Sequence, residues 1–259
     1  MGVACYTKEN ETQKVDSNNP NHNNNISCII EIKSGKIVTG LYDNTIKIWN
    51  IESNNCEITK TDEGNILYLL YFRKNEILTG NNKNNIQLWY INDSKFGENI
   101  KTFKGHSSFV NCLIKCNDLF FASASKDKAI KIWDYLNNKC LKTLEGHNDN
   151  VHSLTLLKDG RLYSGSADKS IKIWNLNDYS CDITLNGHED TVKCVFQLSN
   201  GYILSGSEDN NIIIWYDYNE YLYPLKGYEG GIDGICKISD IIFASFRQLN
   251  LGYNNNELY

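Results

Sequence analysis

The chain has 259 residues, of which 41% are hydrophobic, and its formal net charge is −5 at pH 7. A chain of this length forms one large domain or two small ones, and it can bury enough apolar surface to fold without a disulfide or a structural metal. The negative charge argues against a nucleic-acid partner, because phosphates require a basic face.

The first 21 residues form a segment of their own, without the apolar block of a secretory signal. Nine cysteines without a CxxC pair predict a reducing compartment, so we expect a cytoplasmic location, with a nuclear one also open. No apolar run reaches the roughly 20 residues that cross a bilayer. The opening MGVACYT has Tyr6 where the myristoylation pattern requires Ser or Thr, with Cys5 as a palmitate site beside it. Membrane contact is therefore expected only if this segment is acylated.

A repeat follows, marked by tryptophans spaced 40, 44, 41 and 41 residues apart. Positions 27, 10 and 6 before a tryptophan hold a histidine, a hydroxyl residue and an aspartate. Four repeats carry the whole set: His22, Thr39, Asp43 and Trp49; His106, Ser123, Asp127 and Trp133; His147, Ser164, Asp168 and Trp174; His188, Ser205, Asp209 and Trp215. The second repeat, ending at Trp89, has Asp62 and Lys83 and so loses histidine and aspartate together. Joint loss is expected of a coupled network, because half of a buried polar network is worse than none.

Each repeat predicts four short strands. In the fourth repeat, residues 151–154, 161–166, 171–174 and 181–185 alternate between apolar and polar side chains and are separated by Gly, Asn and Asp. This alternation is typical of half-buried antiparallel strands.

The motifs GH, SGSxD and IKIW at this pitch resemble the WD40-repeat family, from residue 22 to about residue 245. The resemblance implies an all-β fold, a β-propeller of four-stranded antiparallel blades over residues 22–259, with six repeats. It also implies that the histidine, hydroxyl, aspartate and tryptophan of a blade form a hydrogen-bonded relay, in which the buried indole N–H donates to the hydroxyl.

The sixth repeat is degenerate. Ser245 stands at the hydroxyl position, but no aspartate follows, and Gly252 to Asn255 replace the IKIW strand. One interpretation is a closed six-bladed ring whose last outer strand comes from the N-terminal segment, within residues 3–15. The other is an open ring or a truncated one, such as a seven-bladed propeller cut short. We expect six blades, with the last one the least ordered.

The recurring Ser, His and Asp suggest a hydrolase at first sight. However, an enzyme needs one active site, whereas this set recurs with the same spacing in several repeats beside a tryptophan. GxSxG, P-loop, GxGxxG and HExxH motifs are absent from the sequence. We therefore predict no enzyme activity, no cofactor and no metal.

The resemblance implies that partners bind at the rim, beside the first apolar residue of each inner strand and just before the turn aspartate. Aromatic and cationic residues at such positions are typical of interfaces. The candidates are Tyr42, Phe109, Asn111, Lys126, Asn150, His152, Thr191, Lys193 and Glu208. The weaker positions are Asn25, Ser27, Asn65, Leu67, Asn82, Ala167, Gly231 and Asp233.

Two functions are predicted from this sequence. The first is a non-catalytic scaffold that binds proteins or peptides of a multi-protein assembly on its top face. The second is an obligate structural subunit, an open propeller that a partner's strand or blade completes.

Overall fold

Short alternating segments separated by tight turns form 23 β-strands, and the described residues contain no α-helix. The structure is a computed structural model that describes residues 26–32, 36–53, 55–91, 99–217, 220–221, 224–226, 231–237 and 243–246. The predicted N-terminal segment, 1–21, lies outside these residues, as do His22 and Asn25.

Four blades are antiparallel meanders in which strands pair in chain order from the innermost to the outermost. The first contains β1 (Ile26–Ile32), β2 (Lys36–Leu41), β3 (Thr45–Asn50) and β4 (Asn55–Thr61), and the second contains β5 (Ile66–Arg73), β6 (Glu76–Asn81), β7 (Asn85–Tyr90) and β8 (Asn99–Lys104). The third contains β9 (Val110–Lys115), β10 (Phe120–Ser125), β11 (Ile130–Asp134) and β12 (Lys139–Leu144), and the fourth contains β13 (Val151–Leu156), β14 (Leu162–Ser166), β15 (Ser170–Trp174) and β16 (Cys181–Asn186).

The fifth blade has a divided outer strand. It contains β17 (Val192–Gln197), β18 (Ile203–Ser207) and β19 (Asn211–Asp217), and both β20 (Glu220–Tyr221) and β21 (Leu225–Lys226) pair with β19. Pro224 lies directly before β21, and a proline has no N–H to contribute to a strand pair.

The sixth repeat is present as a separate two-stranded sheet of β22 (Gly234–Lys237) and β23 (Phe243–Phe246). The all-β propeller is thus confirmed, but the prediction of six blades is not, since the described residues form five blades. In the sequence, Gly252 to Asn255 stand where the other repeats have the IKIW motif, and these residues lie outside the described part of the chain.

The hydrophobic core lies between successive blades. At each junction, two residues three positions apart, within an inner strand or directly before it, join the core of the preceding blade. The pairs are Ile66 and Leu69, Val110 and Leu113, Val151 and Leu154, Val192 and Val195, and Ile232 and Ile235.

A glycine in the second strand permits this close approach. A Cβ atom at Gly206 would lie 2.5 Å from Cγ2 of Ile232, and one at Gly165 would lie 2.7 Å from Cγ1 of Val192. Real Cβ atoms do not approach so closely in a packed interior. The third blade has Ala124 at this position, fully buried. Each junction therefore requires a very small residue in one blade and a branched apolar residue in the next.

Candidate functional site

The turn between the second and third strands is built on an aspartate in the third to fifth blades. Asp127 accepts the backbone N–H of Ala129 through Oδ1 at 3.1 Å and that of Ser107 through Oδ2 at 2.9 Å. Lys128, between Asp127 and Ala129 in the turn, has a left-handed backbone conformation with φ of 72°. The carboxylate thus ties the turn to the loop that enters the blade. In the fourth blade, Asp168 accepts the backbone N–H groups of Ser170 and Asn148 in the same way. In the fifth blade, Asp209 accepts those of Asn211 and Glu189.

A histidine, a serine and a tryptophan continue from this aspartate into the interior. His106 Nδ1 lies 2.8 Å from Asp127 Oδ2, and His106 Nε2 lies 2.6 Å from Ser123 Oγ. Trp133 Nε1 donates to the same Oγ at 2.7 Å. Because an indole only donates, the serine hydroxyl donates onward to Nε2, and Nδ1 carries the hydrogen that faces the carboxylate. Distances of 2.7 and 2.8 Å join His147, Ser164, Asp168 and Trp174 in the fourth blade, and His188, Ser205, Asp209 and Trp215 in the fifth.

The relay keeps its aspartates ionised. Burial of Asp127 opposes ionisation, but hydrogen bonds from His106, Ser107 and Ala129 outweigh it and lower the pKa to about 2. The pKa values of Asp168 and Asp209 are also lowered, by the same balance. Burial lowers the pKa of His188 although Asp209 acts in the opposite direction. The fifth blade thus holds a carboxylate against a neutral imidazole at pH 7.

These sets are poorly placed for catalysis. Ser123, Ser164 and Ser205 are fully buried, and each oxygen accepts an indole N–H. A nucleophile must reach its substrate. The arrangement instead joins a loop, a turn and the third strand within each blade.

In the first blade, the tryptophan-to-hydroxyl bond is present, with Trp49 Nε1 2.9 Å from Thr39 Oγ1. Asp43 accepts the N–H of Thr45 at 3.0 Å and also its hydroxyl. His22, the predicted fourth member, lies outside the described residues.

The second blade contains a different network, which corrects the expectation that its relay is simply lost. Trp89 Nε1 donates to Thr79 Oγ1 at 3.1 Å, and Thr79 donates to Asp62 Oδ2 at 2.7 Å. Asn81 donates to Asp62 Oδ1 at 2.9 Å, and Gln87, with its amide nitrogen turned to the carboxylate, donates as well. Asp62 therefore accepts the hydroxyl as the histidine does elsewhere. Asn81 stands at the second serine of the SGSxD motif and Gln87 at the lysine of the IKIW motif, two positions to which the expected relay assigns no role.

Asp62 is buried, with 5% of its surface exposed, and no cation is bonded to it among the described residues. Burial raises its pKa, although four hydrogen bonds act in the opposite direction. An open cavity of about 320 Å³ lies beside it, lined by Thr61, Asp62, Glu63, Gln87, Trp89 and Asn99.

The candidate binding residues meet in pairs at the top face, which we define as the end that carries the entry loops and the turns between second and third strands. In the third blade, the N–H of Lys126 donates to the carbonyl of Phe109 at 2.9 Å. The corresponding pairs are Asn82 with Asn65, Ala167 with Asn150, and Glu208 with Thr191.

The apolar side chain of Phe109 is exposed at this face, at 39%. The ammonium of Lys126 lies over its ring, 5.2 Å from the centroid, and Lys126 is itself exposed. The side-chain amide of Asn111 bonds to the next blade. It donates to Asn150 Oδ1 at 2.7 Å and to the carbonyl of Val151 at 2.9 Å.

Neither His152 nor Lys193 presents an unpaired positive charge at the top face. Burial and the nearby Lys193 lower the pKa of His152 to about 4, so its imidazole is neutral at pH 7. Lys193 Nζ pairs with Glu208 Oε1 at 2.7 Å.

The remaining candidates differ in exposure. Tyr42 and Asn150 are half-buried, Glu208 is exposed, and Thr191 is buried, so Thr191 is a poor contact residue. Ser27 donates to the carbonyl of Gly40 at 2.9 Å. Among the weaker positions, Asn65, Leu67, Asn82, Ala167 and Asp233 are half-buried, and Gly231 is buried.

A cluster of cations and aromatic rings at the opposite end was not predicted. The guanidinium of Arg73 lies 4.1 Å from the ring centroid of Tyr135, and Lys101 Nζ lies 4.6 Å from the same centroid. The hydroxyl of Tyr135 donates to Glu76 at 2.9 Å. Burial and Glu76 raise the pKa of Tyr135 to about 12. These contacts join the second and third blades.

Among the described residues, no three His, Cys, Asp or Glu side chains are grouped so that they could hold a metal ion. That part of the chain also has no helix long and apolar enough to span a membrane.

The geometry of this propeller agrees with the comparison to family models. The model of the WD domain, G-beta repeat, matches residues 14–50, 97–134, 138–175 and 179–216, more than half of the chain. The chain therefore belongs to the WD40-repeat family. The second repeat, which has lost its histidine and turn aspartate, lies between the first two matched segments.

Among curated proteins, the chain is similar to ribosome biogenesis proteins. It is 28% identical over 121 residues to the ribosome biogenesis protein WDR12 homolog of Anopheles gambiae, covering 46% of this chain and 28% of the relative. It is 33% identical over 105 residues to the ribosome biogenesis protein YTM1 of Debaryomyces hansenii, covering 38% of this chain and 22% of the relative. The matched segments thus span about a quarter of those relatives' length.

Proposed function

We propose that the protein is a non-catalytic scaffold that binds other proteins or peptides on its top face, as part of a multi-protein assembly. The observation that carries this proposal is the Phe109–Lys126 pair, an exposed ring beside an exposed ammonium. Such a pair suits a partner segment in which an acidic residue lies next to an apolar one. The family and the buried serines support the non-catalytic reading.

The top-face proposal can be tested by pull-down from native lysate with quantitative mass spectrometry. The test variant replaces Phe109, Lys126 and Lys193 by alanine. A matched control replaces Leu141, Lys139 and Lys142, one apolar residue and two lysines on the exposed outer strand β12. We expect the test variant to lose partners that the control keeps. Unchanged partners would refute the top-face assignment.

A finer proposal is that this assembly takes part in ribosome biogenesis, and the names of the relatives support it. Depleting the protein should then cause precursors of ribosomal RNA to accumulate. Unchanged precursor levels would exclude this role and leave the scaffold proposal intact. The cytoplasmic location, with a nuclear one also open, stays a prediction.

The second predicted function, an obligate structural subunit whose open propeller a partner completes, stays a prediction.

A further inference from the structure

Two leucines of the third blade are exposed at the end opposite the top face. We call this end the bottom face; it carries the turns between first and second strands and between third and fourth strands. Leu119, 45% exposed, lies in the turn between β9 and β10, and Leu136, 58% exposed, lies in the turn between β11 and β12. The two turns are adjacent, since the N–H of Tyr135 donates to the carbonyl of Leu119 at 2.9 Å.

The repeat pattern does not account for these leucines. Leu136 lies three residues after its tryptophan, where the first and fourth repeats have Glu52 and Asn177. Leu119 lies 14 residues before that tryptophan, and the other repeats place turn residues at this position: Gly35, Asn75, Gly160 and Gly201. Neither leucine belongs to a hydrophobic cluster of the described residues.

The turn that carries Leu119 does not require an apolar side chain. The equivalent residues Asn75, Gly160 and Gly201 have left-handed backbone conformations, with φ of 62°, 87° and 96°, whereas Leu119 has none. Instead, Asn117 Oδ1 accepts the backbone N–H groups of Leu119 and of the next residue, at 2.8 and 2.9 Å. The asparagine therefore closes the turn, and the leucine side chain is left in solvent without a role in folding it.

A cation lies beside each leucine. Arg73 Nη2 donates to the carbonyl of Asp118, the residue that precedes the first leucine. Lys101 Nζ donates to the carbonyl of Tyr135 at 2.7 Å and to that of Leu136 at 3.2 Å. Both cations also lie against the ring of Tyr135, which fixes their positions.

The charge of these two cations is available to an acidic group. Neither Arg73 nor Lys101 forms an ion pair with a carboxylate of the described residues. The neighbouring carboxylates accept hydrogen bonds from other side chains: Asp118 from Lys115, Asp134 from Asn137 and Glu76 from Tyr135. Because opposite charges attract across an interface, this part of the surface favours an acidic partner.

We propose that the bottom face of the third blade, formed by Leu119 and Leu136 with Arg73 and Lys101, binds a segment of a partner protein in which apolar residues lie next to acidic ones. The apolar side chains cover the leucines, and the carboxylates pair with the guanidinium and the ammonium. Nucleic acid fits this surface less well, because phosphates do not cover leucines and the chain carries a net charge of −5. The inference goes beyond the top-face proposal and does not depend on it, because the two surfaces lie at opposite ends.

The first test identifies the bound segment by photo-cross-linking. The full chain carries p-benzoylphenylalanine at position 136 in cells of its source organism, and the cross-linked peptides are sequenced after irradiation. Position 51 is the matched control, because Ile51 is 56% exposed in the corresponding turn of the first blade. We expect position 136 to label a peptide of another protein that contains both apolar and acidic residues, with a clearly higher yield than position 51.

The second test measures binding of that peptide, made synthetically, to the purified full chain by fluorescence anisotropy. Replacing Leu119 and Leu136 by serine should weaken binding about tenfold. The matched control replaces Leu225 and Ile51, which are 45% and 56% exposed, and should leave Kd unchanged. Both double variants should keep Tm within about 2 °C of the unaltered protein, since exposed substitutions perturb folding little.

A charge exchange tests the acidic part of the proposal. Lys101→Glu should weaken binding of the peptide. A peptide in which lysine replaces the acidic residues should bind Lys101→Glu more tightly than it binds the unaltered protein, because the charges are then opposite again. A structural effect of Lys101→Glu would weaken the binding of both peptides and would not produce this exchange.

Several results would overturn the proposal. These are cross-links from position 136 to this chain's own residues, 92–98 included, to a second copy or to RNA, a labelled peptide without acidic residues, and a yield no higher than that at position 51. Equal peptide affinity of the two double variants would also refute it. The Phe109, Lys126 and Lys193 triple alanine variant should retain the position 136 cross-link, so failure of the top-face proposal is distinguishable from failure of this one.

Discussion

The carboxylate of Asp62 accepts the hydroxyl of Thr79 at 2.7 Å, and so occupies the role that histidine has in the third to fifth blades. The hydrogen-bond chain still begins at an indole, that of Trp89, but it ends on a buried carboxylate that neutral amides surround. The second blade has therefore exchanged one satisfied network for another.

Removing the carboxylate of Asp62 should lower the free energy of unfolding. Asp62→Ala leaves the Thr79 hydroxyl and the Asn81 amide without their acceptor, and an unsatisfied buried polar group costs about 1–3 kcal/mol. Urea unfolding of Asp62→Ala against Asp182→Ala, an exposed aspartate on the outer strand β16, measures the difference. Equal urea midpoints for the two variants would show that the Asp62 network does not contribute to stability.

The relay of the third blade should make stability depend on acidity. The pKa of Asp127 falls from its ordinary 3.8 to about 2 on folding, so its contribution is complete above about pH 4 and is lost as the pH falls towards 2. Urea midpoints measured between pH 2 and 6 should fall less steeply in Asp127→Asn than in the unaltered protein. Parallel curves would contradict the assigned pKa.

The contribution of Asp62 to stability should change with pH in the opposite direction. Its pKa is raised on folding, so the folded state binds the proton more tightly, and stability declines as the pH rises from 3.8 through the raised value. Asp62→Asn should remove this decline. The same urea series checks it, and a steeper decline in the variant would count against the raised pKa.

The shared serine should matter more than an ordinary hydroxyl. Ser164→Ala deprives both His147 Nε2 and Trp174 Nε1 of their partner, so we expect a loss of about 2–4 kcal/mol in unfolding free energy. Ser180→Ala, at an exposed turn of the same blade, is the control and should change little. The comparison fails if both variants unfold alike.

His152 should titrate far below an exposed histidine. We expect its ring protons, followed by NMR, to shift near pH 4, because burial and Lys193 disfavour the imidazolium. Lys193→Ala should raise this midpoint, since it removes a neighbouring positive charge. A midpoint near 6.5 in the unaltered protein would mean that His152 is open to solvent.

Much of the fold was predictable because periodicity is a local property. The strands predicted at 151–154 and 171–174 correspond to β13 and β15, and their bounds follow from alternation and turn residues. Within the relay, a spacing of ten residues places Ser164 and Trp174 on adjacent strands, so their meeting depends only on the hairpin register.

The rest depended on contacts that spacing does not encode. Asn81 and Gln87 donate hydrogen bonds to Asp62 from motif positions that are not members of the expected histidine, hydroxyl, aspartate and tryptophan relay. Thr191 and His152 were candidates because of their positions, but local packing buries the first and keeps the second uncharged. The prediction of six blades was not confirmed, because it depends on residues after Phe246, which lie outside the described part of the chain.

The offset between repeat and core has a consequence for how the protein is made. The strands of the fourth blade end at Asn186, yet its core includes Val192 and Val195 from the next inner strand. A nascent chain that has just left the ribosome with four complete blades would still carry one unfinished interior. Folding of each blade should thus lag behind translation by one inner strand, and a chain that ends at Asn186 should be less soluble than one that ends at Gln197.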